Sequence, residues 1–203
     1  MDELGPIEAV RLTGDEPFRD GTESLSLDVL DYWRWSASDL VSNTQRGVLA
    51  EFLVASAIGI AAGGVREEWA AFDLEGPDGT RIKVKSASYI QRWHQTALSK
   101  VAFRCPKTKA WDSATGQSSA ESRRQADVYV FALEAHTDQA TLDLLDVSQW
   151  VFFVVPTYVL DERTRSQQSI TLPSLTALAG ESVVYSALAQ AIASAAGLQK
   201  SHS

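Results

Sequence analysis

Pro77-Asp78-Gly79 constrains this chain more than any other stretch. Proline presets φ for the first central residue of a type I turn, aspartate bonds back to nearby backbone, and glycine accepts positive φ. Together they form the usual three-residue hairpin loop closed by a bulge. Within the segment WAAFDLEGPDGTRIKVKSASYIQRW, from Trp69 to Trp93, that loop sets a register. It pairs Gly76 with Thr80, Asp73 with Lys83 and Ala71 with Lys85. Side chains alternate along a strand. Ile82 and Val84 are therefore expected on a buried face with Phe72 and Leu74, and Asp73, Lys83 and Lys85 on the opposite one. One acid and two ammonium groups are predicted on a single rigid platform.

Net charge is −8, which argues against a protein coated in phosphate contacts, but its distribution is uneven. Between Gly79 and Trp111 lie eight basic residues (Arg81, Lys83, Lys85, Arg92, Lys100, Arg104, Lys107 and Lys109) and no acid. A patch of one sign inside an otherwise acidic chain suits a phosphate-binding groove. The alternative is a solvated basic face that balances the acidic ones. His94, without a partner at ligand spacing, is read as a phosphate contact.

The hairpin resembles the core of the PD-(D/E)xK nuclease superfamily, in which a strand aspartate is followed across a turn by an acid, any residue and a lysine. Asp73 matches the aspartate and Lys85 the lysine, with Ile82 and Val84 as the apolar run. The middle acid is replaced by Lys83. The resemblance reaches from the helix near Asn43 to the strand near Phe131. It implies an α/β restriction-endonuclease-like sandwich with a mixed central sheet flanked by helices, and metal-dependent hydrolysis of phosphodiester bonds in DNA.

Glu51, on the helix before the hairpin, matches the position from which the family often supplies a second acid. By this resemblance Asp73, Glu51 and the backbone carbonyl of Val84 would hold Mg²⁺ or Mn²⁺, and Lys85 would orient water or stabilise charge on the phosphate. Gln91, Arg92 and Trp93 stand where such nucleases contact substrate, with Lys100, Lys107 and Lys109 extending the contact. Lys83 leaves two readings. Bonded to Asp73, it stands in for the metal and makes a silent nucleic-acid-binding module; turned to solvent, it leaves a minimal one-metal site. A protein-interaction domain with an incidental basic patch is a third reading.

At 203 residues and 45% hydrophobic content, the chain can bury one substantial core. One domain is expected over residues 25–198, after a polar, irregular arm at 1–24 and before a polar tail at 199–203. No apolar run is long enough to span a bilayer, and the acidic start is unlike a secretory signal. A soluble cytoplasmic protein is expected, acting with nucleic acid and with a homodimer or partner protein as an option. The single cysteine, Cys105, excludes an internal disulfide and reads as a buried thiol.

A short helix is expected over Leu25–Trp35, capped by Ser26 or Asp28, with Trp33 and Trp35 as packing residues. A longer one runs from Asp39 or Asn43 to Ile58 and stops at Gly59, with Val41, Val48, Leu49, Phe52, Leu53 and Ile58 on its apolar face. One strand or two short ones are expected over Val65–Leu74, and strands over Lys100–Cys105, Ala126–Leu133 and Trp150–Val155, with a small edge strand at Ser169–Leu172. Lys107–Glu121 reads as an exposed loop, and Val183–Ala196 as a terminal helix. No phosphate-binding glycine loop and no nucleophile elbow is present, which removes the usual support for nucleotide hydrolysis and serine esterase chemistry.

Overall fold

The computed structural model describes residues 5, 7–68, 70–112 and 116–202. In chain order these form β1 (Pro17–Asp20), β2 (Glu23–Asp28), α1 (Val29–Ala37), α2 (Asn43–Ala57), β3 (Leu74–Glu75), β4 (Arg81–Ser88), β5 (Ala102–Arg104), β6 (Trp111–Asp112), β7 (Gln117–Ser118), β8 (Val128–Glu134), β9 (Trp150–Pro156), α3 (Thr157–Asp161), β10 (Ser169–Thr171), α4 (Leu172–Ala179) and α5 (Tyr185–Lys200).

The central sheet has the order β3-β4-β8-β9. Its outer pairs are antiparallel and the β4–β8 pair is parallel, which makes it mixed. Valine-rich and aromatic strands suit this buried position, and every residue of β8 is buried. Residues of alternate parity feed two cores. On one face Ile82, Val84, Val128, Val130 and Phe152 pack with Leu53 and Val54 of α2 and Leu188 and Ile192 of α5. On the other face Ala87, Tyr129, Phe131, Leu133 and Phe153 pack with Phe103 and Ile170 of the β5–β10 pair, Leu160 of α3 and Leu175 of α4. This is the expected α/β architecture, a mixed sheet between two layers. Each large apolar side chain buried this way contributes about 1.5–3 kcal/mol.

The hairpin loop forms as its residues dictate. Gly76 N donates to Thr80 O at 2.8 Å and Gly79 N to Gly76 O at 2.9 Å, and Gly79 takes φ +76°, where a Cβ would strain the backbone. Asp78 accepts from Thr80 N at 3.2 Å and from its hydroxyl at 2.8 Å. The register is the anticipated one, with Leu74 opposite Ile82 and Glu75 opposite Arg81.

The ladder is shorter than expected. It stops at Leu74, so neither the strand over Val65–Leu74 nor an Ala71–Lys85 pair exists, and Trp69 lies outside the described residues. Asp73 explains the stop: its N donates to Ile82 O, and its side chain takes up the next strand amide, Val84 N, at 2.7 Å. Upstream of it strand alternation no longer applies. Leu74 packs with Ile82 and Val84, but Phe72 joins the opposite core.

Other differences are local. Within the stretch read as an irregular arm, Pro17–Asp20 pairs with Glu23–Asp28 around Gly21 at φ +61°, a two-residue turn with glycine first. Leu25 and Leu27 therefore lie in β2, and α1 begins after Asp28 in a capping box with Asp31. Trp35 is 84% exposed, not packed. α2 starts at Asn43 and Gly59 follows its end, as expected, with Ser42 as the cap, but Phe52 is 56% exposed while Ala50 and Val54 are buried.

The loop Lys107–Glu121 contains the short β6–β7 ladder, and its residues 113–115 lie outside the described residues. α4 was not anticipated, and α5 runs on through Gln199 and Lys200 of the expected tail. Cys105 is a buried free thiol.

Candidate active site

β4 carries Lys83 and Lys85 beside Tyr129 and Phe131 of β8, its in-register neighbours. Both lysines therefore rise from the face that the second core covers further along the strand. Lys83 Nζ donates to Asp73 Oδ1 at 2.6 Å, and Val84 N occupies Asp73 Oδ2. The side chains of this pair are only 23% and 12% exposed. Such a desolvated ion pair is fixed in geometry as well as charge.

Glu51 projects from α2 and receives Arg66 through Nε at 2.5 Å and Nη2 at 3.2 Å. The Glu51 hydrogen bond raises the Arg66 guanidinium above its ordinary value, against the cost of burial. Asp73, Glu51 and Arg66 all line one cavity of about 620 Å³, whose apolar wall includes Val48, Phe52 and Phe72. From the amino-terminal segment, Arg11 donates to the carbonyls of Ala61, which lines the cavity, and of Ala62 next to it.

Lys85 differs from the other cations. It makes no hydrogen bond or ion pair to any described residue. Burial lowers its pKa from the ordinary lysine value, repulsion by Lys83 adds to the shift, and attraction from Asp73 and Glu51 opposes it. That Lys85 responds to both acids places all three groups in one electrostatic cluster.

As disposed here, the two acids are already neutralised by Lys83 and Arg66, and no group of three or more His, Cys, Asp or Glu residues able to hold a metal occurs among the described residues. The donors nevertheless suit a hard cation in kind, because Mg²⁺ needs only one or two carboxylates with water and phosphate completing its shell. To bind it, Arg66 and Lys83 must exchange their carboxylate partners for phosphate.

The candidate substrate-contact residues divide. Gln91 and Lys100 line a second cavity, with Gln91 Nε2 bonded to Ser88 O at 2.7 Å. Arg92 pairs with Asp39 at 3.1 Å, and His94 and Lys109 are exposed. Lys107 pairs with Asp161 at 3.3 Å beside the buried Arg124. The eight-residue basic run is therefore partly neutralised, since Arg81 also pairs with Asp127 at 2.7 Å. Arg66 and Arg46 escaped the sequence reading. Neither stands at a motif spacing; the only hint was an arginine just after Gly63-Gly64.

The hairpin with this acid–lysine cluster, set on a mixed sheet between helices, lies inside the stretch over which the chain matches a family of nucleases. A family model described as bacteriophage T4 endonuclease IV matches residues 29–174, from α1 into α4, and the chain belongs to that family. No curated protein matches it. Among the described residues no helix is long and apolar enough to cross a membrane.

Proposed function

We propose that this nuclease is a metal-dependent phosphodiesterase of the PD-(D/E)xK superfamily acting on DNA, with Asp73, Glu51, Lys83 and Lys85 as its working residues. The observation that carries the reading is Lys85, an ammonium that bonds to no described residue and feels the charge of Asp73 and Glu51, the two carboxylates that line one cavity. Asp73 and Glu51, with the Val84 carbonyl, are the groups that would hold Mg²⁺ or Mn²⁺. Bound there, the ion would lower the pKa of water and neutralise charge on the phosphate.

The chain's own residues supply the rest. Lys85 donates to the attacking water or to a non-bridging phosphate oxygen. Arg66 and Lys83, released from their carboxylates, turn to the phosphate as its negative charge grows. Oxygen of water joins phosphorus as the water gives up a proton to solvent, and the bond from phosphorus to the leaving sugar oxygen breaks as that oxygen takes up a proton. Gln91, Arg92, His94, Lys100, Lys107 and Lys109 are the proposed strand contacts.

A second reading is favoured by the same Lys83–Asp73 contact. If the pair stays closed, the cluster binds phosphate without cutting, and the domain is a silent nucleic-acid-binding module. Purified protein incubated with plain DNA and Mg²⁺ or Mn²⁺, beside an EDTA control and Lys83→Glu, separates the two. Metal-dependent cleavage that Lys85→Met removes supports the first; binding without cleavage by either form supports the second.

A further inference from the structure

The second cavity, about 290 Å³, lies between the first turn of α2 and the bend that follows β4, and its lining includes Asn43, Arg46, Ser86, Gln91, Trp93 and Lys100. Arg46 is 4% exposed. Nη1 of Arg46 donates to Val41 O, and Nη2 to Asn43 Oδ1 and Gln91 Oε1; Nε is buried with no partner. A guanidinium this buried is ordinarily met by a carboxylate, yet Arg46 touches none. Glu134, the acid whose field reaches it, has its oxygens committed to Ser88 Oγ at 2.6 Å and His136 N at 2.8 Å.

Burial lowers the Arg46 pKa, with the Glu134 charge opposing the shift, so the site carries a positive charge that costs stability until an anion arrives. On the rim, Lys100 and the Ser86 hydroxyl make no hydrogen bond to any described residue, and Trp93 is 57% exposed. Two cations, an orphan N–H, free hydroxyl capacity and an exposed indole suit a phosphate with a base or sugar beside it.

We infer that this cavity is a second phosphate subsite, holding a backbone phosphate of the substrate strand displaced from the one that is cut, with Arg46 and Lys100 as its cations. The inference rests on the nuclease reading for the identity of the strand, but not for the anion site itself. The spacing is compatible. Ser88 follows Lys85 by three residues of strand, roughly 10 Å at ~3.3 Å per residue. Arg46 precedes Glu51 by five residues of helix, about 7.5 Å at ~1.5 Å per residue. Separations of this size put the two phosphates within a few linkages of each other on one strand.

The test is binding of a short labelled single-stranded oligodeoxynucleotide in EDTA across a range of salt, with wild type, Lys100→Ala and Arg46→Lys. Removing one phosphate contact should lower the salt slope by about 0.7 and weaken binding several-fold in Lys100→Ala, an exposed site that leaves the fold intact. Arg46→Lys keeps the charge, loses the fork and should weaken binding about tenfold. A single neutral methylphosphonate, walked along the strand, should cost wild type affinity at one linkage near the cut but distinct from it, and cost Lys100→Ala nothing there.

An unchanged slope in Lys100→Ala, or an equal methylphosphonate penalty in both proteins, overturns the subsite. So does displacement of the oligonucleotide by millimolar inorganic phosphate with no effect of the neutral linkage, which would make it a free-anion site. Normal cleavage with an unchanged slope sinks the subsite and leaves the nuclease reading standing. A Lys100-dependent slope without cleavage in any metal does the reverse.

Discussion

Two charge clusters in this molecule look alike on paper and differ in what they leave over. Around Asp161, Arg124 has a side chain with no exposure, and its Nη atoms reach Asp161 Oδ1, Gln167 Oε1, Cys105 O and Gln167 O. Lys107 covers the same carboxylate. This cluster ties the end of β5, the end of α3 and the following loop together, and both of its cations meet a carboxylate, although Arg124 Nε is buried without a partner. Around Asp73 the carboxylates are equally well paired, but Lys85 has nothing to bond to. Cations that each meet a carboxylate hold the fold. An ammonium left without one, next to acids that line a cavity, is free to meet a ligand.

The sharpest way to break this contrast is Lys85→Met. Cleavage should fall by about 10²–10⁴-fold, while stability should rise by on the order of 1 kcal/mol, measured by urea unfolding. A fall in both would put Lys85 with the structural cations. The pH dependence gives an independent sign. Because burial holds Lys85 below the ordinary lysine value, the unfolded chain binds its proton more readily than the native one. Between the native value and the ordinary one, stability therefore increases with pH, and Lys85→Met should flatten that slope.

Arg124→Met should show the opposite pattern. It leaves Asp161 to Lys107 alone and takes the donor from three other acceptors, so unfolding free energy should drop by about 1–3 kcal/mol, with the cleavage rate per folded molecule unchanged. A specific loss of cleavage in protein that melts normally would erase the distinction between the two clusters.

Lys83→Glu removes the ammonium that holds Asp73 and sets two carboxylates face to face. In EDTA the melting temperature should fall. Mg²⁺ should restore it, with roughly tenfold tighter binding than wild type as a repelling charge becomes a ligand. Asp73→Ala in the same protein should cancel the Mg²⁺ response. If Lys83→Glu cuts more slowly than wild type while binding Mg²⁺ better, Lys83 itself serves the phosphate.

The smallest expected effect is at the hairpin loop. The Thr80 hydroxyl, then Lys200, then the Thr80 amide hold the Asp78 pKa down, at about 2. Its contribution is present above the ordinary aspartate range and is lost as pH falls through about 2. The Thr80 amide resonance should titrate there, whereas Asp78→Ala should abolish that titration and leave cleavage at neutral pH untouched.

How much of this was legible in the sequence follows the range of the physics involved. The loop, the Asp73–Lys83 contact and the burial of Ile82 and Val84 came from turn chemistry and the period of two, both local. The cap at Asp28 and the end of α2 at Gly59 were local too. Phe72 failed because a side-chain carboxylate replaced a backbone partner and ended the alternation. Trp35 failed because an aromatic residue in an apolar run is only on average a buried one. Arg66 and Arg46 depend on where distant segments meet, and neither leaves any mark in residue spacing.

The parallel pairing of β4 with β8 has a consequence in time. Ile82 lies opposite Val128, so the strand that bears both lysines gains its partner only after the intervening chain has been made and its loop closed, a slow step for non-local pairing. Until then the lysines ride on a two-stranded hairpin, which by itself is marginal in water. Synthesis thus imposes an order: a chain arrested before β8 displays every residue of the proposed chemistry yet has no platform to aim them.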